Sequence, residues 1–172
     1  SAMQVNDLTA ALKEIDSLLK EFPDNPYFHE LKGQILFEGG KAEPSVEPLV
    51  RANELLPDHP LLLISLARSL IARGEEGDIE AGELALRDAL IVEPNNAFAW
   101  AQLAIALEKQ GLRAEAQLAT AESRYYVGDY PNAFERIAGG LNLSGAGHLW
   151  ATARPGYEFE LEDTTVHTGG GS

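Results

Sequence analysis

The sequence predicts an all-α protein, a solenoid of antiparallel helical hairpins, and three observations support this. Prolines recur at a repeat-like spacing, with Pro23 and Pro57 34 residues apart and Pro57 and Pro94 37 apart. Apolar residues between the prolines recur at steps of three and four, which places their side chains on one helix face. Each proline is followed by an acid or amide that can cap the next helix.

The clearest unit follows Pro94. Trp100, Leu103 and Leu107 share one helix face, and Ala104 is small where a second helix must approach closely. Gly111 suits the left-handed residue that ends a helix. Together with Ala116, these residues follow the tetratricopeptide-repeat pattern. The fold class that we predict is therefore a tetratricopeptide-repeat superhelix, an α-solenoid.

The chain divides into four parts. An apolar stripe that Pro23 ends predicts a single helix at the N-terminus, the second half of a repeat. We therefore expect a piece of a longer protein, the alternative being a solitary N-terminal packing helix. The expected parts are a cloning scar (1–3), a half-repeat helix (4–23), tetratricopeptide repeats (24–143) and an irregular or disordered tail (144–172).

Within the first two repeats the apolar pattern predicts which side chains face the core. The second repeat carries an acidic insertion around residues 75–79, which we interpret as a longer turn. The expected core positions are Phe28, Leu31 and Ile35, then Val46, Leu49, Ala52 and Leu55, then Leu63, Leu66, Ala67 and Leu70, then Leu84, Leu86, Ala89 and Leu90.

The third repeat is followed by a compressed fourth. A turn at residues 128–131 resembles the turn within a repeat, so the helix at about 112–127 serves both as the second helix of repeat three and as the first of repeat four. Beyond Leu143 the pattern fails. Residues 157–162 alternate apolar and acidic side chains, which indicates a disordered or contact-induced segment because no partner strand is evident.

Composition restricts the possible functions. The net charge is −14, spread along the chain, so binding to nucleic-acid phosphates is disfavoured. Without cysteine there is no disulfide or thiolate chemistry. His29-Glu30 begins a zinc-peptidase motif, but Gly33 stands where the second histidine is needed. We predict no catalytic, cofactor or metal-binding residue in this chain.

Solenoids of this kind bind proteins or peptides on the face formed by their leading helices. Repeat positions 2, 5, 9, 12 and 13 of those helices point into the groove. The alternative for each residue is a merely exposed position, and in repeat one Gly39-Gly40 allows two alignments that differ by one residue. The residues that we predict for a protein-binding groove are His29, Leu36, Ile64, Arg68, Ile71, Phe98, Ala101, Ile105, Glu108 and Lys109.

Three stretches carry a more specific resemblance: residues 25–40, beginning Asn-Pro-Tyr-Phe-His-Glu, residues 98–104, and residues 121–130. Over roughly residues 5–143 the chain resembles the C-terminal repeats of BepA-type, HtpX-related periplasmic zinc metalloproteases. The resemblance implies a periplasmic parent enzyme, with zinc in its peptidase domain. It also implies that this region presents outer-membrane β-barrel clients, docks onto their assembly machinery or contacts the parent's peptidase domain. The alternative is a stand-alone scaffold or secretion-system adaptor without a peptidase domain.

Overall fold

The computed structural model describes the backbone of residues 2–144 and the side chains of residues 7–139. Throughout this part of the chain the regular structure is helical. The helices are α1 (Ala2–Glu21), α2 (Pro26–Glu38), α3 (Ala42–Leu55), α4 (Pro60–Arg73), α5 (Asp78–Val92), α6 (Ala97–Lys109), α7 (Arg113–Tyr126) and α8 (Tyr130–Ser144).

The helices pair into the expected hairpins. Helix α2 packs along α3, α4 along α5 and α6 along α7, while α1 packs on α2. Each second helix also packs on the leading helix of the next hairpin, so the hairpins stack in one direction. The predicted all-α solenoid of antiparallel helical hairpins is thus confirmed.

Amide and proline residues determine where the leading helices begin. The Asn25 side-chain oxygen accepts the backbone N–H of Tyr27 at 3.0 Å, and the Asn96 oxygen accepts that of Ala99 at 3.0 Å. Proline opens α2 and α4, where its missing N–H costs no hydrogen bond. The three leading helices therefore start at equivalent residues, Pro26, Pro60 and Ala97.

This common start corrects the predicted register of repeat one by one residue. Of the expected core residues Phe28, Leu31 and Ile35, Leu31 is wrong, because it is 41% exposed, whereas Phe28 and Ile35 are partly buried. In the second repeat the expected core position of Leu84 is also wrong, because Leu84 is 61% exposed. The buried residues of α2 are instead Glu30, Gly33 and Leu36.

The turn before α8 is of the kind found within a hairpin. Gly40, Gly111 and Gly128 all have positive φ, between 74° and 82°. In each turn the glycine N–H donates three residues back and the next N–H donates five residues back, as in a Schellman-like helix end. The pairs are Gly40 to Phe37 and Lys41 to Leu36, Gly111 to Glu108 and Leu112 to Leu107, and Gly128 to Tyr125 and Asp129 to Arg124.

Helix α7 accordingly belongs to two hairpins, as the sequence predicted, since it packs along both α6 and α8. Small buried residues explain this. Ala121 lies 17 residues after Ala104, and Ala133 lies 17 after Ala116, which is half the 34-residue spacing of the first repeat. All four are buried, so α7 has close-contact positions on two faces.

The acidic insertion is an ordered turn. The Arg73 guanidinium donates to both carboxylate oxygens of Asp78, at 2.8 and 2.7 Å. Asp78 also accepts the backbone N–H of Glu75. The hydrogen bond from Arg73 lowers the pKa of the Asp78 carboxyl and outweighs the opposing effect of burial. The expected longer turn is present, held by Arg73, which pairs with Asp78 and, at 3.5 Å, with Glu75.

The predicted part boundaries match the helices only approximately. Helix α1 already includes Ala2 and Met3, and α8 ends one residue beyond the expected limit of 143. The predicted tail from residue 145 onward, including the alternating stretch 157–162, lies outside the described residues. Within residues 2–144, no helix has the length and apolarity needed to cross a bilayer.

Candidate protein-interaction surface

Arg68 lies between two aromatic rings contributed by neighbouring hairpins. Its guanidinium carbon is 4.6 Å from the ring centre of Phe37 in α2 and 5.3 Å from that of Phe98 in α6. Both distances are within the range of about 6 Å for a cation–π interaction. The three residues belong to α2, α4 and α6, so this cluster connects all three leading helices. Among residues 7–139, no carboxylate oxygen forms an ion pair with Arg68.

Large apolar side chains extend this cluster along the leading helices. Tyr27 is 47% exposed, Leu61 48%, Phe98 49% and Ile105 44%. Tyr27, Leu61 and Phe98 occupy the same position, one residue after the helix start, in α2, α4 and α6. We call the surface formed by Tyr27, Phe37, Leu61, Arg68, Phe98 and Ile105 the leading face.

A second feature adjoins the leading face between α6 and α7. It is an open depression of about 470 Å³ lined by small, apolar and charged side chains. We call it the α6–α7 depression. Its residues are Ala101, Ala104, Ile105, Glu108, Lys109, Thr120, Ser123 and Arg124.

Six of the ten predicted groove residues lie on these two surfaces. Arg68 and Phe98 belong to the leading face, Ala101, Glu108 and Lys109 to the depression, and Ile105 to both. That these residues bind a partner stays a prediction.

The other four predicted groove residues are placed elsewhere. Leu36, Ile64 and Ile71 are 7%, 6% and 5% exposed, so their side chains offer almost no surface to a partner. Ile64 and Ile71 belong to the core cluster that α4 forms with α5 and α6. Because these three residues are buried, their assignment to the groove is corrected. The assignment of His29 is also corrected, because His29 occupies a repeat position that packs against the preceding turn.

His29 occupies the repeat position of Trp100. The His29 ring nitrogen Nε2 lies 2.7 Å from the Pro23 carbonyl oxygen, and Trp100 Nε1 donates to the Pro94 carbonyl at 2.9 Å. Each ring thus ties a leading helix to the turn that precedes it. The equivalence of His29 and Trp100 becomes visible in the sequence only when the register of repeat one is shifted by one residue, so that Pro26 aligns with Ala97.

Glu30 next to His29 is also explained structurally. Its carboxylate accepts the Ser65 hydroxyl at 2.8 Å and is 7% exposed, so it joins α2 to α4. The partial zinc-peptidase motif at residues 29–33 therefore has its polar atoms engaged in packing the repeats. No group of three or more potential metal ligands occurs among the described residues.

Sequence reasoning missed three residues of the leading face, Tyr27, Phe37 and Leu61. Aligning the capping residues Asn25 and Asn96 would have placed Tyr27 and Phe37 at groove positions. Leu61 follows Pro60 as Phe98 follows Ala97, so Leu61 could also have been predicted from the sequence as a groove residue.

Polar contacts hold the far end of α6 against the preceding hairpin. Gln110 donates to the Glu83 carboxylate at 2.6 Å, and Arg87 donates to it at 2.7 Å. Burial raises the pKa of Glu83, but these two hydrogen bonds outweigh it and the net shift is downward. Glu83 is thus held ionised where α5 meets α6.

Comparison with known proteins agrees with this architecture. A tetratricopeptide-repeat family model matches residues 1–43. Two solved structures, both crystal structures of MamA proteins, match with a TM-score of 0.60 and 16% identity over 80% of this chain, covering 82% and 88% of theirs. No curated protein matches. At this identity the likeness concerns the fold alone, and that fold is the predicted tetratricopeptide-repeat solenoid.

Proposed function

We propose that this chain is a protein-interaction module that binds an extended segment of another protein on its leading face. Tetratricopeptide solenoids are a protein-binding architecture, because stacked helices present a continuous surface. The observation that carries the proposal for this chain is Arg68, a cation held between Phe37 and Phe98 without a carboxylate partner among the described side chains.

The surroundings of Arg68 suggest the chemistry of the partner. A guanidinium whose position is fixed by two rings can pair with a carboxylate at a small cost in side-chain entropy. Leu61, Phe98 and Tyr27 lie on the same face and are each about half exposed, which suits apolar side chains on either side of that carboxylate. The segment that fits carries one acidic residue flanked by apolar ones.

A peptide-display experiment on the full chain tests this proposal. We expect selected peptides to contain Asp or Glu between apolar residues, and the substitution Arg68→Gln to weaken their binding about tenfold or more, roughly 1.4 kcal/mol. Arg113→Gln is the matched control, since Arg113 is exposed on α7 and outside the leading face. Equal binding by both variants, or selected peptides without any acid, would contradict the proposed role of Arg68.

We further propose, from the resemblance over roughly residues 5–143, that the module belongs to a periplasmic BepA-type zinc metalloprotease. In that setting zinc and catalysis reside in the parent's peptidase domain. The module presents outer-membrane β-barrel clients or docks onto their assembly machinery. The support for this proposal is the amino-acid sequence of residues 25–40, 98–104 and 121–130.

Sequencing the parent reading frame upstream of Gln4 tests the protease proposal. A signal peptide and a His-Glu-x-x-His helix in that region would support it. Further repeats alone, or a nearby start codon, would contradict it and leave a stand-alone scaffold or adaptor. Either result leaves the interaction module as it stands, because that proposal depends on the leading face alone.

A further inference from the structure

The α6–α7 depression occupies the place where a following leading helix would pack. In the first hairpin the corresponding α3 residues, Leu49 and Ala52, are 1% and 0% exposed, because α3 is packed between α2, where Leu49 meets Gly33, and α4. The corresponding α7 residues, Thr120 and Ser123, remain half-buried and line the depression. Within residues 2–144 the stack therefore ends in a site of the kind that the earlier hairpins fill, and no described helix occupies it.

Helix α8 does not fill this site. Because its turn at Gly128 is of the within-hairpin type, α8 packs along α7 and makes no extensive contact with α6. In the preceding hairpins each new leading helix contacts both helices of the one before it. The change of turn thus directs α8 away from the depression and leaves α6 uncovered on one side.

The lining of the depression is suited to large side chains accompanied by negative charge. Its floor consists mainly of small residues, among them Ala101 and Ala104, with Ile105 44% exposed at its edge. Two cations and one acid, Glu108, line it, so its net charge is positive. Lys109 forms no ion pair among the described residues, and Arg124 has only a 3.8 Å contact with Asp129.

The chain itself carries a segment of complementary chemistry. Residues 157–163 read Tyr-Glu-Phe-Glu-Leu-Glu-Asp, with three large apolar residues alternating with acids. In an extended conformation the apolar side chains lie on one face and the acids on the other, at the level of the rim.

The topology places this segment within reach. Helix α8 runs antiparallel to α7, so its end at Ser144 lies at the same end of the stack as Lys109. Tyr157 follows Ser144 by 13 residues, which span up to roughly 43 Å when extended. The distance to cross is about one helix diameter, roughly 10 Å. A tether of this length gives an effective concentration on the order of millimolar.

We propose that residues 157–163 bind in the α6–α7 depression of the same chain, with Tyr157, Phe159 and Leu161 against its floor and the acids beside Lys109 and Arg124. The segment then takes the place of the missing leading helix and covers Ile105, part of the leading face. It would compete with any partner that uses that end of the surface. The inference goes beyond the proposed function and does not depend on a partner, so either can fail alone.

Zero-length carbodiimide cross-linking of the full chain at low micromolar concentration tests the proposal. We expect Lys109 to link to Glu158, Glu160, Glu162 or Asp163 within the monomer band. The double substitution Phe159→Ser and Leu161→Ser, outside the described helices, should lower this yield at least fivefold. Lys41 is the matched control, because it is an exposed lysine at the equivalent turn of the first hairpin.

Three results would overturn the proposal. Links from Lys109 found only in a dimer band would assign the depression to a second copy. A Lys41 yield equal to that of Lys109 would show non-specific contact. An unchanged yield in the double variant would show that the apolar residues do not hold the segment in place.

Discussion

The size of the residue at each helix contact in this protein is determined by how closely the neighbouring helices approach. Gly33 and Gly82 lie on helix faces with no room for a side chain, since an added Cβ would meet Leu49 and Ile71 respectively. The two serines Ser45 and Ser69 hydrogen-bond to each other at 2.9 Å between α3 and α4, fully buried. Small residues thus fix the helix spacing as much as the large ones fill the core.

Gly33 provides a direct test of this spacing. An alanine Cβ at this position would lie 2.7 Å from Leu49 Cδ2, and Leu49 is 1% exposed with no free space to move into. We expect Gly33→Ala to destabilise the fold by about 1–3 kcal/mol through overpacking. Chemical denaturation followed by circular dichroism measures the change.

Gly139 is the matched control, because it lies in α8 where an added Cβ would meet no atom within 4 Å. Gly139→Ala should stabilise by about 0.5–1 kcal/mol, since only the helix preference of alanine acts there. Equal effects of the two substitutions would contradict the close approach of α2 and α3.

Most of the elements could be predicted from the sequence, because proline, glycine and the apolar period fix helix ends and core faces locally. The register of the first repeat stayed open by one residue, because the adjacent glycines Gly39 and Gly40 allow two alignments. The structure resolves this through the Asn25 cap. That α7 belongs to two hairpins could be predicted from the sequence, since Gly128 marks the same kind of turn as Gly111.

The groove residues were less predictable, because their exposure depends on the next element in the stack. Ile64 and Ile71 hold groove positions by number but are buried in the cluster with α5 and α6. Their equivalents in α6, Ala101 and Glu108, are half-buried and exposed, since no leading helix follows α6 within residues 110–144. The sequence of a single repeat therefore does not show whether its groove positions are exposed or buried.

The insertion between α4 and α5 depends chiefly on the ion pair between Arg73 and the buried Asp78, which makes its stability sensitive to pH. Asp78 has a folded-state pKa below its usual value of 3.8, so it stabilises the fold above that pH and the contribution is lost as pH falls through the folded pKa. We expect Asp78→Asn to destabilise by about 1.5–3 kcal/mol at pH 7. The difference from wild type should shrink in acid below about pH 3.8.

Denaturation at pH 7 and at pH 3 measures both effects. Asp16→Asn is the matched control, because Asp16 pairs with Lys32 at 2.8 Å but is 49% exposed. That exposed pair should contribute at most about 1 kcal/mol. A loss for Asp78→Asn that stays the same at both pH values would contradict the assigned role of the carboxylate.

At the scale of the whole molecule, stability should decrease from the middle of the stack toward its ends. In a solenoid each unit is stabilised chiefly by its neighbours. Helix α4 packs against α2, α3, α5 and α6, whereas α8 packs extensively on α7 alone. Side chains of α4 such as Leu62 and Ala67 are fully buried, while Phe134 of α8 is 66% exposed.

We therefore expect native-state hydrogen exchange to be slowest for the backbone amides of α4 and faster by at least tenfold for those of α8. The cause is that α8 can open by losing contact with a single helix, whereas opening α4 disrupts two hairpins. Mass spectrometry of peptides from α4 and α8 measures this, with α2, which packs on α1, α3 and α4, as an intermediate control. Equal protection in α4 and α8 would mean that the stack opens as one cooperative unit and that α8 is held by more than α7. Residues 157–163 bound beside Lys109 would not produce such equality, because they cover α6 and α7 rather than α8.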